Sequence, residues 1–461
     1  MTSSNLTEAV DSICKKFSIT DEQLKSISSE YIRLTKLGLN HNGEAMAMIP
    51  SYVTATPSGR ETGTFLAVDL GGTNFRVCSI HLNGDNTYDL LQTKTVIPRN
   101  LMVGTSKELF SFLAQKVKDF IATHLSEKFD EDATDHQLKL GFTFSFPVSQ
   151  TAINRGTLLR WTKGFDVKDA VGQDVCLLLQ DELDALNLNV HVAALVNDTV
   201  GTLMSRSYTS PGHHTTIMGI IIGTGTNCAY VENLDAITKL GEEKISNLRK
   251  NSPMMIINTE WGSFDNQCVS IGSTDYDEQV DKKTPNKGMQ LFEKRISGMF
   301  LGEILRVILA DLCSQKLLFK SSSSELETEW KLDTSALSRI EADFSKNLIA
   351  TRLLIEKELA LESTLEERKA IKTIVEAIGK RSAYLAGAVV AGILEHTKAF
   401  EKHGIIDVGM DGSVIEFYPG YESLIREALS AIIGQTKESR VQIGIAKDGS
   451  GVGAALCAVV A

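Results

Sequence analysis

The stretch FLAVDLGGTNFRV (65–77) ends an apolar run in a carboxylate, Asp69, turns through Gly71, Gly72, Thr73 and Asn74, and resumes as a β-like run carrying Arg76. Glycines let backbone N–H groups come close to an anion, and the threonine hydroxyl adds a donor. A plain hairpin turn, for which Asn and Gly are common choices, uses the same residues. The pattern recurs: in TTIMGIIIGTGTNCAYVE (215–232), TGTN (224–227) repeats GGTN (71–74) between two more apolar runs. Two such hairpins facing one another would clamp a polyphosphate from both sides. Asp69 at a strand end suits a water-mediated Mg²⁺ contact, or the capping of its own turn. The chain has no G-x-x-x-x-G-K-[ST] element and no H-R-D or D-F-G element, which excludes a P-loop and a protein-kinase site as motifs.

Three further groups could carry chemistry. Ser145 precedes Pro147, and Thr162 and Lys163 follow Trp161, so polar groups sit in apolar surroundings as a small polar ligand requires. A loop lysine beside a buried tryptophan is the alternative for the second part. Asn197-Asp198-Thr199 closes the apolar run AALV, where a carboxylate can project into a cleft or serve as a helix N-cap. Glu260 in NTEWGSF and Glu293 in LFEKR, with Asn227, would offer acceptors and donors to sugar hydroxyls, although Glu293 alone also fits an ordinary helix.

The elements that must position these groups follow from periodicity. Residues 5–50 and 105–128 read as helical. TFLAVDL, FRVCSIHL and YDLLQTKTV read as three strands, with NGDN (83–86) as a hairpin turn. The strand after Gly72 therefore returns antiparallel, whereas a dinucleotide-binding fold would place a helix there. KLGFTFSFPV (139–148) reads as a strand ended by Pro147, 169–187 as a helix and VHVAALVND (190–198) as a strand. Beyond residue 232 the chain reads as mostly helical, with a helix over 297–315 and a surface loop at SSSSELETE (321–329). A capping box, Ser363 to Glu366, opens a helix over 363–381, and the tail VQIGIAKDGSGVGAALCAVVA reads as strand, glycine turn and helix. The repeat of strand, Gly-Thr-Asn turn and strand marks an internal duplication.

Composition narrows the class. The 461 residues carry a formal net charge of −11, a poor basis for binding nucleic acid or an anionic membrane, so any phosphate must be gripped by local geometry. The length predicts two to three domains. Seven scattered cysteines without a C-x-x-C suggest free thiols in a reducing compartment. The N-terminus has no long apolar core, and SAYLAGAVVAGIL (382–394) is too short to span a bilayer, so a cytosolic location is expected.

Together these residues resemble the hexokinase family within the actin-like superfamily. LGFTFSFPVSQTAINRGTLLRWTKGF (140–165) is similar to the family's sugar-binding signature from end to end, and DLGGTN, NDTVGT, IGTGTN, EWGSFDN and DGSGVGAA follow in the family's order. FEKRISGMFLGE (292–303), KRSAYLAGAVVA (380–391) and the tail most resemble fungal glucokinases. The resemblance implies an α/β fold of two actin-like (ribonuclease H-like) duplicated lobes around a central cleft. It implies a small domain over 59–197 plus a C-terminal helix at about 450–461, a large domain over 1–58 and 198–449, and a hinge at Gly449 and Gly451.

It implies ATP-dependent phosphorylation of glucose with ATP and Mg²⁺, and a cytoplasmic protein with no nucleic-acid or membrane partner and scope to form homo-oligomers. Asp198 would be the general base, with Lys163 beside it. Ser145, Phe146, Thr162, Lys163, Asn197, Asn227, Glu260, Gln290 and Glu293 would surround the sugar. Asp69, through water, would face the metal. Gly71, Gly72, Thr73 and Asn74 would form the first phosphate loop and Thr224 and Gly225 the second, with Thr199 beside the γ-phosphate and Arg76 and Lys94 also on the side of ATP. Gly298, Thr334, Ser338, Gly412 and Ser413 would bound the adenosine. Met299 stands where some relatives carry a lysine, and 320–362 is the least family-like stretch. A broader hexokinase acting also on fructose and mannose, a catalytically weak sugar sensor and a polymerising ATPase are the competing readings.

Overall fold

A computed structural model describes residues 3–125 and 137–461. Two sheets of the same design dominate it. In the first, β1 (Thr62–Leu70), β2 (Asn74–Asn83) and β3 (Tyr88–Val96) form an antiparallel meander, and β4 (Leu138–Phe144) and β5 (Val190–Val196) extend it in parallel, in the order β3-β2-β1-β4-β5. In the second, β6 (His214–Ile222), β7 (Thr226–Asn233) and β8 (Met254–Asn258) repeat the meander, and β9 (Ile405–Asp411) and β10 (Val441–Ile445) the parallel extension. A short strand, Ile49–Pro50, adds to the outer edge of β8. The antiparallel return expected after Gly72 is present in both copies. NGDN forms the β2–β3 turn with Gly84 at φ +78° and Asn86 at φ +68°, the left-handed values such a turn demands.

Strands β8 and β9 lie in a region that reads as mostly helical in sequence. Both are short, and their apolar runs, MMIIN and IIDVGMD, show no clean alternation. Other boundaries also shift. Residues 5–50 hold two helices, Ser3–Phe17 and Asp21–Asn40, before a non-helical stretch into Ile49–Pro50. The first amphipathic helix after the meander runs Ser106–His124, and residues 126–128 of the expected span lie outside the described residues. The strand expected to reach Pro147 stops at Phe144. The 169–187 span is a helix over Val175–Ala185. SSSSELETE contains a helical turn, Ser324–Glu327. The capping box uses Thr364 and Glu367, one residue beyond Ser363 and Glu366, because Thr364 is the residue in extended conformation at the helix start. That helix runs Leu365–His396; it is long and apolar enough to cross a membrane by composition, but 83% of its apolar window is buried within the protein.

Buried side chains fall into three clusters. One lies over the first sheet, from Leu66 to Leu195, and the largest packs the helices against the second sheet. The third joins them, combining Ala67, Val200, Leu203, Ala229 and Ile256 with the tail residues Val452 and Ala454–Ala458. Here α1 (Asp198–Thr209) and the tail meet backbone to backbone. A Cβ on Gly201 would lie 2.2 Å from the Gly449 carbonyl oxygen, and one on Gly141 in β4 would lie 2.0 Å from that of Ala454. The expected hinge glycines are thus closely packed: Gly449 lies against Thr202, and Ser205 donates to the Lys447 carbonyl at 2.9 Å.

The outer end of α1 is fixed by Arg206, which donates to both oxygens of the fully buried Asp407 at 2.7 and 2.6 Å. Gly409 leaves the space filled by its Cβ and Cγ, and Gly444 the space filled by its guanidinium. Arg206→Ala would strand a buried carboxylate, so it should lower unfolding free energy by about 3–5 kcal/mol in a urea titration.

Candidate active site

The two glycine turns and the two apolar strands that end in carboxylates converge on one cleft. Asp198 opens α1 directly after β5, with Asn197 as N-cap: the Asn197 side chain accepts from the Thr199 N–H at 3.0 Å and from its hydroxyl at 2.6 Å. The cap expected at this strand end is therefore supplied by Asn197, and Asp198 is not needed for it. One oxygen of Asp198 accepts from the Thr199 N–H at 2.9 Å. Burial pushes the Asp198 carboxyl up to about 6, and the charge of Glu260 pushes the same way, against Lys163.

Lys163 is exposed, left-handed at φ +57°, and donates to the Ser145 carbonyl at 2.9 Å. Its Nζ stands 5.5 Å from the centre of the Phe146 ring. Phe144, Phe146, Trp161 and Phe165 stack around this loop, and Trp161 Nε1 donates to the Val167 carbonyl at 2.7 Å. The half-buried tryptophan therefore anchors the loop carrying Thr162 and Lys163, and the Lys163 charge acts on Asp198.

Across the cleft, Asn227 on β7 donates to Glu260 Oε1 at 3.2 Å and to Asn258 Oδ1 at 2.8 Å. Glu293 Oε2 accepts from the Thr226 N–H at 3.0 Å and lies so near Gly225 that a Cβ there would be 2.9 Å away. Burial raises the pKa of both Glu260 and Glu293. Gln290 precedes the helix Leu291–Ile296 in left-handed conformation and accepts from Asn286 at 3.2 Å. Lys294 holds the same loop, donating to Asp281 at 2.7 Å and Thr284 at 2.8 Å.

At the first turn, neither Gly71 nor Gly72 is left-handed, and a Cβ on either would meet nothing within 4 Å. The turn itself does not need glycine; the open space in front of it is what a side chain would fill. Arg76 reaches across the base of this turn to Asp69 at 3.2 Å and to Asp448 at 2.7 Å. Burial nevertheless raises the Asp69 carboxyl above its ordinary range. Thr73 is exposed, and its carbonyl accepts from Ile97 N–H at 2.9 Å. Asn74 donates to the Thr73 hydroxyl at 3.2 Å. Lys94 lies on the exposed edge strand β3, in register with Arg76.

At the second turn, the Gly223 carbonyl accepts from Gly298 N–H at 2.7 Å, and that of Thr224 from Met299 N–H at 3.0 Å. Thr334 donates to the Gly298 carbonyl at 2.5 Å, and Ser338 lies one helical turn further along. Gly412 adopts φ +107° within van der Waals reach of Gly223, and Ser413 beside it is exposed. Gly298, Gly412 and Ser413 thus bond or pack at this turn, with Thr334 held against Gly298 and Ser338 one helical turn away. The sequence reading missed Asn258, Asp411 and Asp448. Each is a polar residue at the end of an apolar run or before a glycine turn, the signal that exposed Asp69 and Asp198.

The sheets, the paired glycine turns and the carboxylates between them define a two-lobed phosphotransferase of the actin-like fold. Hexokinase family profiles match residues 9–208 and 217–460. The glucokinase of Aspergillus niger is 48% identical over 100% of this chain and 98% of its own length; glucokinase-1 of Saccharomyces cerevisiae is 45% identical over 98% and 97%. The solved hexokinase of Schistosoma mansoni, complexed with glucose, superimposes with a TM-score of 0.83 at 35% identity, covering 100% of both chains. The chain belongs to the hexokinase family. It is a hexose kinase that uses ATP.

Asp448→Asn keeps an oxygen to accept from the Gly451 N–H but removes one of the two countercharges on Arg76. Denaturant titration should show the unfolding free energy lowered by about 1–2 kcal/mol, the difference between a charge-assisted and a neutral hydrogen bond on a partly buried guanidinium.

Proposed function

We propose that the acceptor is glucose, that the γ-phosphoryl of ATP passes to its 6-hydroxyl, and that Asp198 is the general base. The observation that carries this reading is a carboxyl near pKa 6 at the start of α1, set between the sugar-facing group Asn227, Glu260 and Glu293 and the open glycine turns. At neutral pH such a group is ionised yet basic enough to take a proton. The Thr199 N–H fixes one Asp198 oxygen, leaving the other for the attacking hydroxyl. Lys163 balances the charge that gathers around it. The free oxygens of Glu260 and Glu293 accept from sugar hydroxyls, and Ser145, Thr162, Asn197 and Gln290 complete the shell.

Phosphoryl transfer needs mostly positioning and charge neutralisation. Gly71–Asn74 and Thr224–Gly225 place backbone N–H groups around the phosphates, with Thr199 near the γ end. Asp69, Asp198, Asp411 and Asp448 surround the nucleotide end against the cations Arg76 and Lys163. A polyphosphate entering that field needs a divalent cation with it. A hard carboxylate oxygen at Asp69 fits Mg²⁺, which keeps several waters and binds phosphate oxygens. When bound, Mg²⁺ supplies further neutralisation of phosphate charge. Gly412 and Ser413 with Gly298, Thr334 and Ser338 form the adenosine wall.

Water is a smaller competing nucleophile, so selectivity requires sugar-driven closure. We place the moving units at 59–197 with the C-terminal helix, and at 1–58 with 198–449. The buried cluster confined to Leu66–Leu195 supports that division. Seven free cysteines support a reducing, cytosolic setting. The fungal glucokinases at 44–48% identity favour glucose, with action on fructose and mannose as the second reading, since the hexokinase of Kluyveromyces lactis is 40% identical.

Asp198→Ala should keep glucose binding and lose about 10²–10⁴-fold in kcat; near-normal turnover would remove Asp198 as base. In wild type, kcat/KM should fall on the acid side with an apparent pKa near 6, because protonation removes the base. A coupled assay with glucose, fructose and mannose decides the acceptor range.

A further inference from the structure

Asn258 ends β8 with 6% of its surface exposed and every polar side-chain atom engaged. Its Nδ2 donates to Glu260 Oε1 at 2.9 Å. Its Oδ1 accepts from Asn227 Nδ2 at 2.8 Å and from the Glu260 N–H at 3.4 Å. Glu260 is left-handed, φ +53° and ψ +46°, a conformation that costs a non-glycine residue roughly 1 kcal/mol or more. The turn-type bond from the Glu260 N–H back to Asn258 Oδ1, two residues earlier, helps hold it there.

The same amide acts on charge. Burial raises the Glu260 carboxyl and the charge of Glu293 adds to this; hydrogen bonds from Asn258 and Asn227 oppose it. Asp198 is the other carboxyl that feels Glu260. With Oε1 taken by two amides, Oε2 makes no hydrogen bond among the described residues and is the acceptor left for a hydroxyl.

We infer that Asn258 is a positioning residue for sugar recognition, holding Glu260 ionised, left-handed and with one oxygen free. This rests on Glu260 reading the sugar. No other side chain of this size does the same: Asn258→Asp would set a carboxylate against Glu260 Oε1, and Asn258→Leu would leave the Asn227 and Glu260 groups unpaired.

The test combines Asn258→Ala, Asn258→Asp, Glu260→Gln and the double variant N258D/E260Q. Glucose binding is followed by tryptophan fluorescence without nucleotide, alongside kinetics. Asn258→Ala should weaken glucose binding about 10- to 100-fold while kcat at saturating sugar stays within about threefold. Wild-type affinity should fall as pH drops, because Glu260 loses its acceptor charge. In Asn258→Asp the two carboxyls must share a proton, so affinity should instead rise as pH falls from about 8 toward 6. The double variant restores one amide and one acid across the contact and should recover affinity over Asn258→Asp. Wild-type glucose affinity in Asn258→Ala, or a pH profile of Asn258→Asp parallel to wild type, overturns the inference. If Asn258→Ala does not fold, the near-isosteric Asn258→Asp and its rescue decide alone. If Glu260→Gln itself binds glucose normally, the fault lies in the sugar reading of Glu260; if it binds weakly while the Asn258 variants behave as wild type, only the role of Asn258 falls.

Discussion

Carboxylates gathered in a partly dry cleft are the constraint around which this protein is arranged. Asp69, Asp198, Glu260, Glu293, Asp411 and Asp448 all approach it, and Asp198 feels both Glu260 and Asp69. Left alone, such a cluster would neutralise by taking up protons. The protein holds it with fixed donors: backbone N–H groups at Thr199, Thr226 and Gly412, amides at Asn227 and Asn258, and the guanidinium of Arg76 between two acids. What remains uncompensated is useful. In the function proposed, a polyphosphate arrives with a cation, sugar hydroxyls take the free acceptor oxygens, and Asp198 accepts the proton.

The duplicated sheets explain why these groups meet. Each copy ends its central strands on the same side, so loops from both copies face one cleft. A polar residue closing an apolar strand is the same device used four times, at Asp69, Asp198, Asn258 and Asp411. Between the copies lies α1, whose first turn carries Asp198 and whose next turn touches Gly449 and Gly453 through Gly201. Thr143 of β4 donates to the Ser450 carbonyl at 2.7 Å, binding the first sheet to the same tail segment. The start of α1, strand β4 and the C-terminal turn are therefore joined through backbone contacts too close to accommodate a side chain.

Much of this was legible in the residues alone. The Gly-Gly-Thr-Asn turn, its copy and the NGDN hairpin marked an antiparallel meander, because those residues favour tight turns whatever surrounds them. The carboxylates at strand ends stood out because a charge closing an apolar run needs a reason. The long stretch over 140–165 carried the resemblance to the family's sugar-binding signature. Less legible were β8 and β9: a strand buried in the middle of a sheet needs no alternation, and short apolar runs fit helix or strand equally. Thr364 displaced Ser363 as cap for a similar reason, since two adjacent hydroxyl residues can both cap and only the backbone path selects one.

The sequence by itself determined the chemistry: which side chains can accept a proton, bind an anion through a bare backbone, or read a hydroxyl. Those properties are local and survive any context. Tertiary structure alone decided which oxygens are free and which carboxyl is basic. Asn258 and Asp448 look like ordinary turn residues until the fold sets one between Asn227 and Glu260 and the other against Arg76. Gly449, read from the resemblance as a hinge glycine, also lies in backbone contact with Gly201 and Thr202, which nothing in the sequence announced. Burial, charge proximity and hydrogen-bond occupancy are properties of pairs, and most of these pairs are far apart in the chain.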